Sequence, residues 1–198
     1  MRITAANNPF RVSRTEDLLF FRPDWSGFTW EQLEERWQET GHRAAIIGPH
    51  GVGKTTLLES WQKRLEGKGE QVLRIFLNRQ ERTFTNEVLE KIERATVLLV
   101  DGAEQLTWRR RRQLVKFAEG KAWLETRHHQ AGFPVIADLQ PNRALLDRCL
   151  LALGEEVPKE LLNDWWESHH GNLREVLLCC YDWKAKRVWG EFDLKNLT

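Results

Sequence analysis

The chain is poor in cysteine. Its 198 residues include three, Cys149, Cys179 and Cys180, and none forms a C-x-x-C pair. An odd number with two neighbours adjacent makes neither a disulfide framework nor a zinc site. Buried free thiols in a reducing compartment are expected. An excess of either charge is also missing: 30 basic residues stand against 29 acidic ones, for a formal net charge of +1. Global charge thus advertises neither a nucleic-acid nor a membrane partner, and any such surface has to be local. No run is long and apolar enough to span a bilayer. The opening MRITAANNPF lacks the apolar core of a secretory signal, so a cytoplasmic location with no membrane contact is expected. Tyrosine occurs once, against ten tryptophans. The tryptophans are scattered from Trp25 to Trp189 without a repeat period. They read as packing anchors, with an interface role open to some of them.

What is present is a globular composition, 41% hydrophobic and 30% charged. The length suits one domain, or one core with a small appendage. Residues 1–28 read as irregular, with turn signals at Asn7-Asn8-Pro9 and Pro23-Asp24. Thr29 has the position of a helix N-cap with Gln32 completing a capping box, and Trp30, Leu33 and Trp37 share one face of the helix. Residues 44–47 read as a buried strand. A helix follows from Lys54, with Leu57, Leu58, Trp61 and Leu65 on one face. Residues 72–77 and 96–100 read as further strands, 86–94 as a short helix, and 133–137 as a fourth strand. A helix capped by Thr107 lies between the last two strands. Residues 144–186 read as helical throughout. Strands alternating with helices imply a parallel sheet with right-handed crossovers.

The connection after the first strand, Gly48-Pro49-His50-Gly51-Val52-Gly53-Lys54-Thr55, fits G-x-x-x-x-G-K-[ST] at every fixed position. Glycines let successive N–H groups point into one concavity that cradles phosphate oxygens. The helix that follows adds its positive end. Lys54 is then expected on the β- and γ-phosphates and the Thr55 hydroxyl on Mg²⁺, with Thr56 completing the loop contacts. The 96–100 strand runs into Asp101. A carboxylate at that strand end lies beside such a loop and orients the metal. The residue after it is Gly102, where many ATPases place a glutamate to polarise water. Glu104 is the remaining candidate base, and it equally fits an ordinary surface carboxylate.

An Asn-Lys-x-Asp base-reading motif and an LSGGQ-like signature are both absent, which argues against small GTPases and transporter-type ATPases. The pattern resembles the AAA+ P-loop NTPases, and among them ATPases related to ExeA and TniB. Asn8-Pro9-Phe10 is similar to their NPF segment, Val100-Asp101-Gly102-Ala103-Glu104-Gln105-Leu106 to their second motif, and Gly171-Asn172-Leu173-Arg174-Glu175 to their sensor-2 segment. The resemblance implies a three-layer α-β-α core with a parallel sheet over residues 1–153, of which 1–42 lead into the core. A small helical lid and tail would occupy 154–198. It also implies ATP as ligand, Mg²⁺-dependent hydrolysis coupled to conformational change or assembly, and a homo-oligomer. The NPF segment would help line the adenine pocket, and Arg174 would touch the γ-phosphate. Arg143 and Arg148 lie where an arginine finger from a neighbouring subunit is sought. Two positions depart from the family. The polar sensor-1 residue belongs at the end of the fourth strand, where this reading finds Asp138. A fifth strand is due before the lid, but 144–153 reads as helix, leaving that strand short, displaced or missing.

Trp108 is followed by Arg109, Arg110, Arg111 and Arg112 at a helix start. Cations are unfavourable there. The run is open to nucleic-acid phosphates, to an acidic partner, or to a solvated and salt-bridged face. His128-His129 and His169-His170 have no helical metal-ligand spacing. Three functions therefore stand from sequence: an ATP-hydrolysing switch, an ATP-binding interaction module with little or no hydrolysis, and an ATP-dependent DNA-binding subunit of a transposition-like system.

Overall fold

A computed structural model describes residues 7–78, 84–130 and 132–187. In chain order the elements are α1 (Val12–Leu18), α2 (Trp30–Glu39), β1 (Arg43–Ile47), α3 (Lys54–Gly67), β2 (Val72–Phe76), α4 (Asn86–Arg94), β3 (Val97–Asp101), α5 (Trp108–Phe117), β4 (Ala122–Arg127), β5 (Val135–Asp138), α6 (Arg143–Leu153), α7 (Lys159–Ser168) and α8 (Leu173–Arg187). Single 3₁₀ turns occupy Pro23–Ser26 and Ala103–Gln105. None of the helices among the described residues is long and apolar enough to cross a membrane. The chain forms two compact units: Phe21–Gln140, and the residues up to Phe20 together with those from Pro141 onward.

The first unit holds a five-stranded parallel sheet in the order β2-β3-β4-β1-β5. Side chains alternate between its faces, as the two-residue strand period requires. On β3, Val97 and Leu99 join one core with Ala44 and Ile46 of β1, Leu33 and Trp37 of α2, and Leu57, Leu58, Trp61 and Leu65 of α3. Leu98 and Val100 join the other, with Ile92 of α4, Leu114 of α5 and Trp123 of β4. Both faces are covered, so β3 is buried at every position. The result is a three-layer α/β/α core. The tryptophan anchors are visible in the first layer, where Trp61 meets Trp30 and Trp37 edge-on at centroid distances of 5.7 and 5.6 Å. The Thr29–Gln32 capping box forms as expected.

The reading of four strands is corrected to five. The segment taken as fourth, now β5, is the fifth, and the strand that was missed is β4, between β3 and β1. The fifth strand due before the lid is therefore neither missing nor displaced. The reading of residues 1–28 as irregular is also corrected at α1, a short helix with no side-chain cap to announce it.

In the second unit α1, α6, α7 and α8 surround a core of Phe10, Leu146, Leu150, Leu153, Leu162, Val176, Cys180 and Trp183. Asn8 is buried and hydrogen-bonded there. Its Nδ2 donates to the Tyr181 carbonyl at 3.0 Å, and its Oδ1 accepts from the Phe10 N–H at 3.0 Å. All three cysteines are free thiols. Burial pushes those of Cys149 and Cys180 up to about 12, which keeps them protonated.

Candidate nucleotide site

In an open parallel sheet, ligands bind beyond the carboxyl ends of the strands. Here those ends carry the 48–55 loop after β1, Asp101 at the end of β3, and the end of β4 between them in the sheet order. Gly48 sits at φ +146°, and a Cβ there would collide with the Leu139 carbonyl oxygen, so only glycine fits. Val52, 4% exposed, pins the loop into the core. Gly53 is the N-cap of α3 and supplies no side-chain acceptor. The first N–H groups of this 14-residue helix are thus left for a ligand. Thr55 is exposed and Thr56 half-buried in its first turn.

Lys54 folds back over the loop. Its Nζ donates to the carbonyls of Gly48 at 2.7 Å and Pro49 at 2.6 Å, and stands 3.5 Å from Nδ1 of His128. Burial lowers its pKa from the usual lysine value, against the opposing pull of Glu104 and Asp101. Asp101 is 5% exposed. Its Oδ1 accepts from the Thr126 hydroxyl at 2.6 Å, while Oδ2 is buried with no partner among the described residues. Glu104 has the same asymmetry. Oε1 accepts from Nε2 of His128 at 3.0 Å and Oε2 is buried without a partner among the described residues. Two unsatisfied carboxylate oxygens beside one lysine are costly in a folded protein unless a ligand answers them.

Gly102 has φ +79°, and an added Cβ would lie 2.6 Å from the Leu77 carbonyl oxygen. A glutamate directly after Asp101 is therefore sterically excluded. The 3₁₀ turn that follows carries Glu104 back toward the loop instead.

The end of β4 also places two residues that the sequence did not single out for the site. Thr126 bridges Asp101 and the Gly102 N–H, which donates to its Oγ1 at 2.9 Å. His128 touches Lys54, Glu104 and the Gly48 carbonyl (3.4 Å), and its ring packs 3.9 Å from that of His50. Desolvation first, then the neighbouring His128 and Lys54, lowers the pKa of His50. Asp138 is corrected as the sensor-1 candidate. It ends β5 rather than the fourth strand, is exposed, and accepts from Gln140 at 2.6 Å. The fourth-strand end belongs to Thr126 and His128.

Arg174, Arg143 and Arg148 lie in the helical unit. Arg174 is exposed near the start of α8, where Asn172 accepts from the Glu175 N–H. Arg143 pairs with Asp147 at 2.6 Å and reaches Asn163. The arginine run is divided. Arg111 grips the fully buried Glu125 with both terminal nitrogens, and Arg127 holds the same carboxylate at 2.6 Å. Arg110 donates to Gln113, whereas Arg109 and Arg112 are exposed beside Trp108, itself 68% exposed.

Among the described residues no group of three His, Cys, Asp or Glu forms a metal site. Magnesium does not require one. It commonly takes one or two carboxylates, keeps several waters and shares phosphate oxygens. The free Oδ2 of Asp101 and the exposed Thr55 hydroxyl fit that donor set.

No family model matches the chain, and no curated protein matches it. Solved structures do. A DNA replication initiation factor superposes with a TM-score of 0.59 at 15% identity, over 86% of this chain and 65% of the other. AMPPCP-bound DnaA from Aquifex aeolicus gives 0.56 at 14%, over 89% and 70%. The replication initiator DnaA bound to AMPPCP and single-stranded DNA gives 0.55 at 16%, over 81% and 60%. The chain thus spans roughly two thirds of the chains it matches, and at these identities the likeness is one of fold.

Proposed function

We propose that this chain is an AAA+-like ATP-dependent switch that binds ATP with Mg²⁺ on residues 48–55 and hydrolyses it with Glu104 as general base. One observation carries the reading: Asp101 Oδ2 and Glu104 Oε2, buried and without a partner among the described residues, lie near the lysine of a complete phosphate-loop sequence. Gly48, Pro49, His50, Gly51, Val52, Gly53, Lys54, Thr55 and Thr56 form the phosphate cradle. The backbone N–H groups of the loop and of the first turn of α3 bind phosphate oxygens. The ammonium of Lys54 exchanges two carbonyl acceptors for charged ones, a stronger bond. Asp101 and Thr55 hold the metal, which when bound neutralises charge developing on the phosphates. Glu104 accepts the proton of the attacking water at its free oxygen. Adenine rather than guanine is supported by the AAA+ resemblance and by the absence of Asn-Lys-x-Asp. Arg174 as reader of the γ-phosphate, and Arg143 or Arg148 as a finger supplied within a homo-oligomer, enter on that resemblance alone. The fold shared with AMPPCP-bound DnaA supports the nucleotide class.

Calorimetry with ATP and Mg²⁺, together with a phosphate-release assay, tests the proposal. Binding and turnover are expected in the natural chain, loss of both in Lys54→Ala, and loss of turnover alone in Glu104→Gln. Absence of binding refutes it. Binding without turnover leaves the interaction module, which the exclusion of a glutamate at position 102 favours. The DNA-binding reading is supported by the exposed Trp108, Arg109 and Arg112. It requires an affinity that falls with salt and with Arg109→Ala/Arg112→Ala.

A further inference from the structure

We infer that His128 is a positioning residue that links the phosphate-loop lysine to the candidate base through one imidazole ring. The inference rests on Glu104 being that base. The ring lies between the two groups, with Nε2 3.0 Å from Glu104 Oε1 and Nδ1 3.5 Å from Lys54 Nζ. A carboxylate only accepts and an ammonium only donates. Nε2 must therefore carry the hydrogen given to Glu104, which in the neutral ring leaves Nδ1 to accept from Lys54. The Gly48 carbonyl, 3.4 Å from Nδ1, then takes no hydrogen from the ring and receives one from Lys54 instead. The tautomer follows from the neighbours rather than from a free choice. His50, packed against the ring at 3.9 Å and 45°, limits its rotation from the loop side.

The arrangement has two consequences. Only one oxygen of Glu104 is tethered, so the tether aims the carboxylate while Oε2 stays free to take a proton. Hydrogen bonds in a chain also polarise one another. When Lys54 leaves Nδ1 for a phosphate, the ring becomes a weaker donor and its hold on Glu104 relaxes. Filling the loop is thereby conveyed to the base, through a residue that touches no reacting atom itself. The short Ala103–Gln105 turn brings Glu104 within reach of His128, just past the end of β4.

Side-chain geometry supplies a selective test. Glutamine places its amide nitrogen near the position of the histidine Nε2, and asparagine near that of Nδ1. His128→Gln is expected to keep most of the turnover. His128→Asn and His128→Ala should lower kcat roughly tenfold or more, with KM and the affinity for ATP little changed. Equal activity of the glutamine and asparagine variants, or a change confined to KM, overturns the inference. A second measurement is independent of turnover. Nitrogen NMR of the His128 ring should show Nε2 protonated and Nδ1 bare in the free protein. The Nδ1 resonance should move on adding AMPPCP with Mg²⁺ and in Lys54→Ala. A protonated Nδ1, whatever the state of Nε2, or a resonance unmoved by nucleotide that calorimetry shows to be bound, refutes the link. If calorimetry shows no binding, the functional reading fails by itself, and the free-state tautomer together with the Lys54→Ala shift still decides the link.

Discussion

The hydroxyl of Thr126, at the end of β4, donates to Oδ1 of Asp101, at the end of β3, at 2.6 Å and accepts the Gly102 N–H at 2.9 Å. Thr126 is 1% exposed, so this hydroxyl is spent entirely on the acidic strand end. It fixes one carboxylate oxygen and leaves the other, Oδ2, to the proposed metal. Thr126→Val removes both bonds at nearly constant volume and strands a buried carboxylate oxygen and an N–H. We expect a loss of about 1–3 kcal/mol in urea unfolding and a weaker dependence of ATP affinity on Mg²⁺. Thr126→Ser keeps the hydroxyl and should retain both properties.

The loop-and-strand frame of this site was legible because its signals are local. The glycine pattern of residues 48–55, the apolar run ending in Asp101 and the Thr29 capping box each depend on neighbours in sequence. The end of β4 was not legible, for a physical reason. Ala122–Arg127 is a central strand with a glutamate in it, and central strands ordinarily read as continuous apolar runs. Glu125 is buried there only because Arg111, from α5, and Arg127 neutralise it. A compensation supplied fourteen residues away leaves no mark on the hydrophobic period. With that strand unread, the next one took its place, and Asp138 inherited a position that belongs to Thr126 and His128. The signal that was available is Trp123-Leu124 between the Gly120 turn and the β-branched Thr126.

Gly102 yields a prediction that runs against the pattern of the ATPases the sequence resembles. Restoring the familiar acidic pair with Gly102→Glu should not create a better base. At φ +79° any side chain is strained, and its Cβ meets the Leu77 carbonyl at 2.6 Å. That segment is tied by the Leu77 N–H to the Asp101 carbonyl at 2.9 Å, so it cannot easily retreat. A destabilisation of about 2 kcal/mol or more is expected, with lower turnover than the natural chain. A stable variant with raised turnover would show that Glu104 is not the base.

The arginine run should separate into two kinds of residue. Arg111→Ala leaves the fully buried Glu125 with Arg127 alone and removes a cation lying over Phe133 at 5.1 Å. A loss of about 3 kcal/mol is expected. Arg109→Ala and Arg112→Ala, on the exposed side of α5, should change stability by less than about 0.5 kcal/mol. Any nucleic-acid affinity should respond to these two and weaken with salt. If Arg111→Ala unfolds no more easily than Arg109→Ala, the ion pair with Glu125 contributes nothing and the division is wrong.

Lys54 connects stability to function with opposite signs. Burial lowers its pKa below the ordinary 10.5, against the opposing influence of Glu104 and Asp101. The free protein thus binds this proton less readily than the unfolded chain does. By linkage, the associated destabilisation is present in full below the folded pKa. It is relieved as pH rises through that value toward 10.5. Unfolding free energies of the natural chain should therefore climb, relative to Lys54→Met, as the pH is raised over that interval. The methionine variant lacks the group and should lack the slope. It should also lose roughly ten- to a hundredfold in ATP affinity, the effect of one charge-assisted hydrogen bond. If ATP with Mg²⁺ binds as proposed, its phosphate oxygens meet the ammonium, favour the protonated form, and should flatten the slope in the natural chain. Urea titrations from pH 7 upward, with and without nucleotide, measure both effects. A natural chain that loses stability relative to Lys54→Met over the same range would mean that the loop carbonyls and His128 already stabilise the ammonium, and that ATP gains little from a lysine held in readiness.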